Sequence, residues 1–135
     1  MYKATQIMTP EEIDRYCREI QPFLEAEYDA DNPSKVVDRA NTLEGYMALS
    51  GKMLADARFR YREQMEGVFV EALKMHAAMS PSIMNKYLDN LCRDLAYLVD
   101  WTERINRTTV HELDMARTII SALKEQARLA GNANW

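Results

Sequence analysis

Apolar and small residues recur every three or four positions along most of this chain, which is the spacing of one face of an α-helix. Prolines divide the pattern, because Pro10, Pro33 and Pro81 each follow a residue that can cap a helix. The sequence therefore predicts a single all-α domain over residues 1–135. Its three helices are expected at 9–30, 33–79 and 81–130.

The first predicted helix begins with Thr9-Pro10-Glu11-Glu12, which has the form of a capping box. Thr9 is expected to accept a hydrogen bond from an early backbone amide, and Glu12 to reach back to the cap. An apolar row follows at helical spacing: Ile13, Tyr16, Cys17, Ile20, Leu24 and Tyr28. Pro22 lies inside this helix, where it is expected to cause a kink.

The two later helices each have about 45 residues and would span roughly 70 Å. Their apolar or small rows alternate steps of four and three, as in Leu43, Met47, Ser50 and Leu54. Since Ser80-Pro81 leaves only a short turn, the two helices are predicted to form a long antiparallel hairpin. Gly131 is the predicted stop of the last one.

Three glycines, Gly45, Gly51 and Gly67, lie inside the second predicted helix. Each is less favourable than alanine there by up to about 1 kcal/mol, so they call for an explanation. Close approach of helix one or of a second subunit is the interpretation that the sequence favours over a flexible joint.

Helix one is too short to cover a hairpin of this length, so apolar side chains near the turn would stay exposed. The predicted oligomer or partner surface comprises Met65, Phe69, Leu73, Met79, Met84 and Tyr87. A homo-oligomer, such as a dimeric four-helix bundle or a larger ring, would cover it. The nine methionines fit either a surface that repacks on partners or ordinary core filling.

Charge and hydropathy narrow the class of protein. A formal net charge of −4 argues against a generally basic nucleic-acid coat protein. No apolar run suits a membrane span or a secretory signal, so a cytoplasmic location is expected, in the host cytoplasm if the protein is phage-encoded. Cys17 and Cys92 fall in apolar helical rows, which predicts reduced core thiols.

Catalytic and metal-binding patterns are not found. His76 and His111 have no histidine or cysteine at ligand spacing, and His111-Glu112 is followed by Met115 where a zincin helix needs its second histidine. No serine lies in a nucleophile elbow. The sequence predicts a non-enzymatic protein without cofactor or metal, which acts by binding.

One basic group is a candidate site for phosphates, with an aromatic ring on which a base could stack. It comprises Lys52, Arg58, Arg62, Trp101, Arg104, Arg107 and His111. The hairpin register places Lys52 level with Thr108, so both helices contribute to one band. In the alternative interpretation, Asp56, Glu63, Asp100, Glu103 and Glu112 neutralise this band as a salt-bridged, solvated face.

The stretch from Trp101 to Glu125 resembles a group of small helical proteins of unknown function from bacteriophages and prophages. The resemblance is carried by Arg104, Asn106, Thr108 or Thr109 and His111, and by the segment from Arg117 to Lys124. Thr118 departs from the serine of that group. The resemblance implies a place among recombination and single-strand-handling genes, and it implies no activity.

Three functions follow as hypotheses. The leading one is a phage-type accessory protein that binds a protein or single-stranded nucleic-acid partner in DNA recombination or replication. The alternative is an anti-defence protein that blocks a host immune protein or sequesters a signalling nucleotide. A structural or scaffold component also fits the pattern.

Overall fold

The computed structural model describes residues 6–75 and 80–134, and side chains within 6–74 and 80–131. This part of the chain is helical and has no strand, which confirms the all-α class. The helices are α1 (Pro10–Glu25), α2 (Pro33–Met75), α3 (Pro81–Leu91) and α4 (Arg93–Asn134).

Polar side chains cap the helix starts where the sequence places them. The Thr9 hydroxyl accepts from the Glu12 N–H at 3.2 Å. The Asn32 side chain accepts from the Ser34 N–H at 3.1 Å, and Ser80 caps α3. Each bond satisfies a backbone donor that has no partner within the helix.

The helix ends differ from the predicted ones. α1 ends at Glu25 instead of continuing to residue 30, because Ala26 is extended and its N–H donates to the Phe23 carbonyl. Pro22 has no N–H to donate, which leaves the last turn weakly bonded. At the other end of the chain, α4 continues through Gly131 to Asn134.

The third predicted helix is divided at Cys92. Its backbone, at φ −101° and ψ 11°, leaves the helical range, although hydrogen bonds of 2.9 Å continue the helical ladder on both sides. Neither proline nor glycine stands there, so the sequence gives no signal for this break.

α2 and α4 form the long antiparallel pair that was predicted. Asn106 donates to the Ser50 hydroxyl at 3.0 Å, so these two residues lie level. The predicted register placed Lys52 level with Thr108, which differs from the observed one by about one helical turn. Further from the turn between α2 and α3, Leu43 of α2 packs with Leu113 and Ala116 of α4.

α1 lies in the groove between α2 and α4. Ile13, Cys17 and Ile20 are fully buried there. They pack in one core cluster with Met53, Ala57, Leu98 and Ile105. The predicted apolar row of α1 is therefore the face that docks.

The backbone that precedes α1 is fastened to α2 by polar side chains. Arg60 donates to the carbonyl oxygens of Ile7 and Met8, at 2.9 and 3.0 Å. The Met8 N–H donates to the Asp56 carboxylate at 3.0 Å. These bonds fix where α1 enters its groove.

Two of the three glycines do not mark a close helix approach within the chain. A Cβ atom added at Gly45 or Gly67 would meet nothing within 4 Å. At Gly51 it would lie 3.8 Å from the Asn106 Nδ2 atom, an ordinary contact. Within the described chain, therefore, no helix packs closely at Gly45 or Gly67, and at Gly51 the neighbour is a side chain. Close approach of a second subunit there stays a prediction.

At the hairpin turn the protein is only two helices thick. A small cluster of Ala72, Met84 and Leu88 joins α2 to α3, with Val68 beside it. α1 packs on α2 and α4, and no α1–α3 contact is found in the described part. This region therefore lacks the third layer that covers the rest of the hairpin.

Candidate functional site

The structure places the predicted basic side chains on several separate surfaces. Lys52 lies beside the backbone that precedes α1, where its ammonium donates to the Asp56 carboxylate and, at 3.1 Å, to the Gln6 carbonyl. Half of its side chain is exposed. Lys52 therefore fastens the N-terminal segment as well as facing solvent.

Two arginines line different grooves along the hairpin. Arg107 pairs with Glu103 at 3.0 Å beside Leu54 and Asn106. Arg62 lines a groove between α2 and α3. Each is a single cation in its groove, since no second lysine or arginine lines either one.

Arg58, Arg104 and His111 are exposed, and no ion pair is found for them within residues 6–75 and 80–134. Arg104 and His111 are seven residues apart on α4 and so share a face. Buried Ile105 and Thr109 mark the inward side of the same helix. These cations therefore point to solvent.

Trp101 belongs to a different environment. Its indole N–H donates to the Gln21 side chain at 3.0 Å, and the Arg18 guanidinium lies 5.8 Å from its ring centre. Asp14 holds that guanidinium at 2.8 Å. The surrounding cleft is rich in carboxylates, so it disfavours the phosphate that the sequence had placed there.

Of the carboxylates in the alternative interpretation, Asp56 and Glu103 pair with cations of the predicted basic group, whereas Glu112 pairs with a cation outside it. Asp56, Glu63, Glu103 and Glu112 pair with Lys52, Arg60, Arg107 and Arg39, respectively. Three of these four cations belong to α2 and one to α4. Arg104, Arg107 and His111 follow one another at spacings of three and four on one exposed face of α4. Lys52, Arg62 and Trp101 line other grooves.

The residues of the predicted partner surface lie near the turn between α2 and α3, with one correction. Phe69, Leu73 and Tyr87 are exposed and Met65 is half-buried. Met84 is only 6% exposed, because it packs against Ala72 inside the hairpin. Met79 lies outside the described residues.

We call six exposed apolar residues the hairpin end: Phe69, Val70 and Leu73 of α2, and Ile83, Tyr87 and Leu91 of α3. Their exposed fractions range from 36% to 56%. A groove of about 390 Å³ between the two helices is lined by Arg62, Met65, Glu66, Phe69, Asn85 and Leu88. Sequence reasoning also expected Ile83 to be exposed here, but it missed Val70 and Leu91.

Sequence reasoning also missed Arg39, which is only 7% exposed. Its guanidinium lies between the rings of Phe23 and Tyr28, 4.7 and 4.3 Å from their centres. It donates to the Phe23 carbonyl at 3.4 Å and faces Glu112 at 3.6 Å, while its Nε finds no partner. Arg39 therefore joins α1, α2 and α4.

No group of three potential metal-binding side chains occurs in the described part of the chain. None of the helices described is long and apolar enough to cross a membrane. Comparison with protein-family models, curated proteins and solved structures finds no match of any of the three kinds.

Both thiols are expected to resist alkylation in the folded protein. Cys17 and Cys92 are fully buried. Burial raises the pKa of each thiol. The hydrogen bond between Cys17 and Thr102 partly offsets this for Cys17, and the charge of Asp89 further raises the pKa of Cys92. A raised pKa leaves less of the reactive thiolate at a given pH.

Iodoacetamide at about pH 8 should therefore modify the native protein roughly a hundredfold more slowly than the same protein in urea. Mass spectrometry of timed samples measures both rates. Equal rates in the two conditions would contradict the burial of these side chains.

Proposed function

We propose that this chain is a non-catalytic helical module that binds other protein through the hairpin end, and that a second copy is its first partner. The observation that carries the proposal is the concentration of exposed apolar side chains where the hairpin is only two helices thick. Soluble proteins keep the apolar surface that they expose small, so this concentration of apolar side chains favours a partner.

The charges of this region favour a second copy over a strongly charged partner. Three cations, Arg62, Lys74 and Lys86, are mixed with four carboxylates, Glu63, Glu66, Glu71 and Asp89. Arg62 and Glu66 are one turn apart in the same groove, and no ion pair is found for either in the part of the chain described. A two-fold interface repeats every contact, so it can set each Arg62 against the partner's Glu66.

The geometry gives weaker support to direct binding of nucleic acid. Phosphate binding by a groove depends on several cations along one surface. Here Lys52 and Arg62 lie in grooves apart from the α4 face that carries Arg104, Arg107 and His111. Lys52 and Arg107 are already paired. Within the phage-type accessory role that the resemblance implies, we therefore propose contact with a recombination or replication protein instead of contact with DNA.

Leu73→Gln combined with Ile83→Gln tests the proposed surface. Because both side chains are about half exposed, the double variant should stay folded while losing apolar contact with the second copy. Sedimentation velocity over a concentration series should show a dimer for the unaltered chain and at least a roughly tenfold weaker dimer for the variant.

Leu129→Gln is the matched control, since Leu129 is 57% exposed but lies near the opposite end of α4. It should leave the association unchanged. Equal weakening by both changes, or a dimer insensitive to the double variant, would place the interface elsewhere and contradict the proposal.

A further inference from the structure

An open cleft of about 580 Å³ lies between the first half of α1 and the beginning of α4. Its walls combine carboxylates with aromatic rings. Glu11 and Asp14 come from α1, and Asp94, Tyr97 and Trp101 from α4. The volume is in the range of about 300–1,000 Å³ that is typical of small-ligand sites.

The chain already holds one guanidinium at the edge of this cleft. Arg18 lies over the Trp101 ring at 5.8 Å and pairs with Asp14 at 2.8 Å. The hydrogen bond and the charge of Asp14 raise the pKa of Arg18. A carboxylate and an aromatic face thus recognise a planar cation here, which is the usual chemistry of arginine binding.

Further carboxylates and a second aromatic ring line the same cleft as Arg18. Glu11 and Asp94 are exposed, and neither has an ion pair within residues 6–75 and 80–134. Tyr97 is 66% exposed, and its ring centre lies 6.1 Å from that of Trp101. With Arg18 counted, the cleft keeps a net charge of about −2, which attracts a further cation.

We propose that this cleft binds the guanidinium of an arginine side chain on a partner protein, which stacks on Tyr97 and pairs with Asp94 and Glu11. The inference goes beyond self-association, because the cleft is separate from the hairpin end and uses different chemistry. A second, different partner would be recognised by an arginine on its surface.

Arginine fits the cleft better than lysine does. A guanidinium is planar and weakly hydrated, so it can stack on Tyr97 while donating in plane to a carboxylate. An ammonium is a compact and strongly hydrated charge that gains less from an aromatic face. Free arginine carries an α-ammonium and an α-carboxylate whose charges cancel, so it has the same net charge as an arginine residue, and the titration below separates the two.

The probe is the blocked tripeptide acetyl-Ala-Arg-Ala-amide, added to the full chain carrying Trp135→Phe. This change leaves Trp101 as the only tryptophan. Its indole N–H, which faces Gln21, then gives a single signal in ¹H–¹⁵N NMR spectra. We expect a saturable shift of this signal, with a dissociation constant on the order of millimolar.

The matched probe replaces arginine by citrulline, which keeps the shape and removes the charge. It should bind roughly tenfold more weakly, as should the arginine probe on Tyr97→Ala or Asp94→Asn. Asp114→Asn and Phe59→Ala remove a carboxylate and an exposed aromatic ring away from the cleft, and they should change nothing.

An absent or unsaturable Trp101 shift, or equal binding of the citrulline probe, would overturn the proposal. So would a stronger response to free arginine than to the blocked peptide, which would indicate a small-molecule site. Repeating the titration with the Leu73→Gln, Ile83→Gln chain separates the two proposals, because loss of the dimer should leave peptide binding intact.

Discussion

Arg39→Ala should lower the free energy of unfolding by about 3 kcal/mol, because it removes a buried group on which three segments converge. The guanidinium lies between the rings of Phe23 and Tyr28, and it faces Glu112 of α4. Alanine would leave a cavity between the rings and a carboxylate without its cation. Glu112 is 25% exposed, so water can solvate part of that charge and keep the loss below the upper end of such effects.

Urea titration followed by circular dichroism measures this loss. Arg117→Ala is the control, since Arg117 is 57% exposed in its pairs with Glu44 and Asp114, and it should cost about 0.5 kcal/mol or less. Arg39→Met keeps most of the contact with the rings but leaves Glu112 without its cation, so its loss should fall between those of Arg117→Ala and Arg39→Ala. A loss for Arg39→Ala no larger than for Arg117→Ala would refute this role.

Ile20→Ala should cost about 3 kcal/mol, because Ile20 is fully buried where α1 meets the long helix pair. Removing its outer carbons leaves a void that the fastened ends of α1 keep open. Arg60 holds the backbone before the helix, and Arg39 holds the Phe23 carbonyl near its end. The groove therefore cannot collapse freely around the smaller side chain.

The same titration measures this variant, with Val37→Ala as the control, since Val37 is 42% exposed. The control should lose less than about 1 kcal/mol. In chains that also carry Trp135→Phe, Trp101 fluorescence gives a local reading, because Gln21 of α1 accepts the hydrogen bond from its indole. A loss equal to that of Val37→Ala would mean that α1 does not pack in this groove in solution.

The long-range pattern of the fold was predictable from the sequence. Steps of four and three along α2 and α4 define one inward face on each helix, and the cap at Ser80 marks the return of the chain. The apolar row of α1 identified the face that docks. These features depend on local spacing and capping, which a single sequence carries.

Other features depend on three-dimensional juxtaposition. The position of α1 brings Gln21 and Arg18 against Trp101, so this ring lies in the acidic cleft. An apolar residue near a turn can point either way, so the sequence alone does not show that Met84 packs inside the hairpin. The cation–aromatic stack at Arg39 brings together residues from α1, the loop after it and α2, and no local spacing predicts it.

Size-exclusion chromatography with light scattering, read at both nucleic-acid and protein wavelengths, tests the central claim most directly. We expect a nucleic-acid-free dimer with twice the chain mass of 15.7 kDa. A monomer that persists at high concentration would contradict binding of a second copy through the hairpin end. Nucleic acid that co-elutes with the protein would contradict the proposal that the chain binds protein instead of DNA.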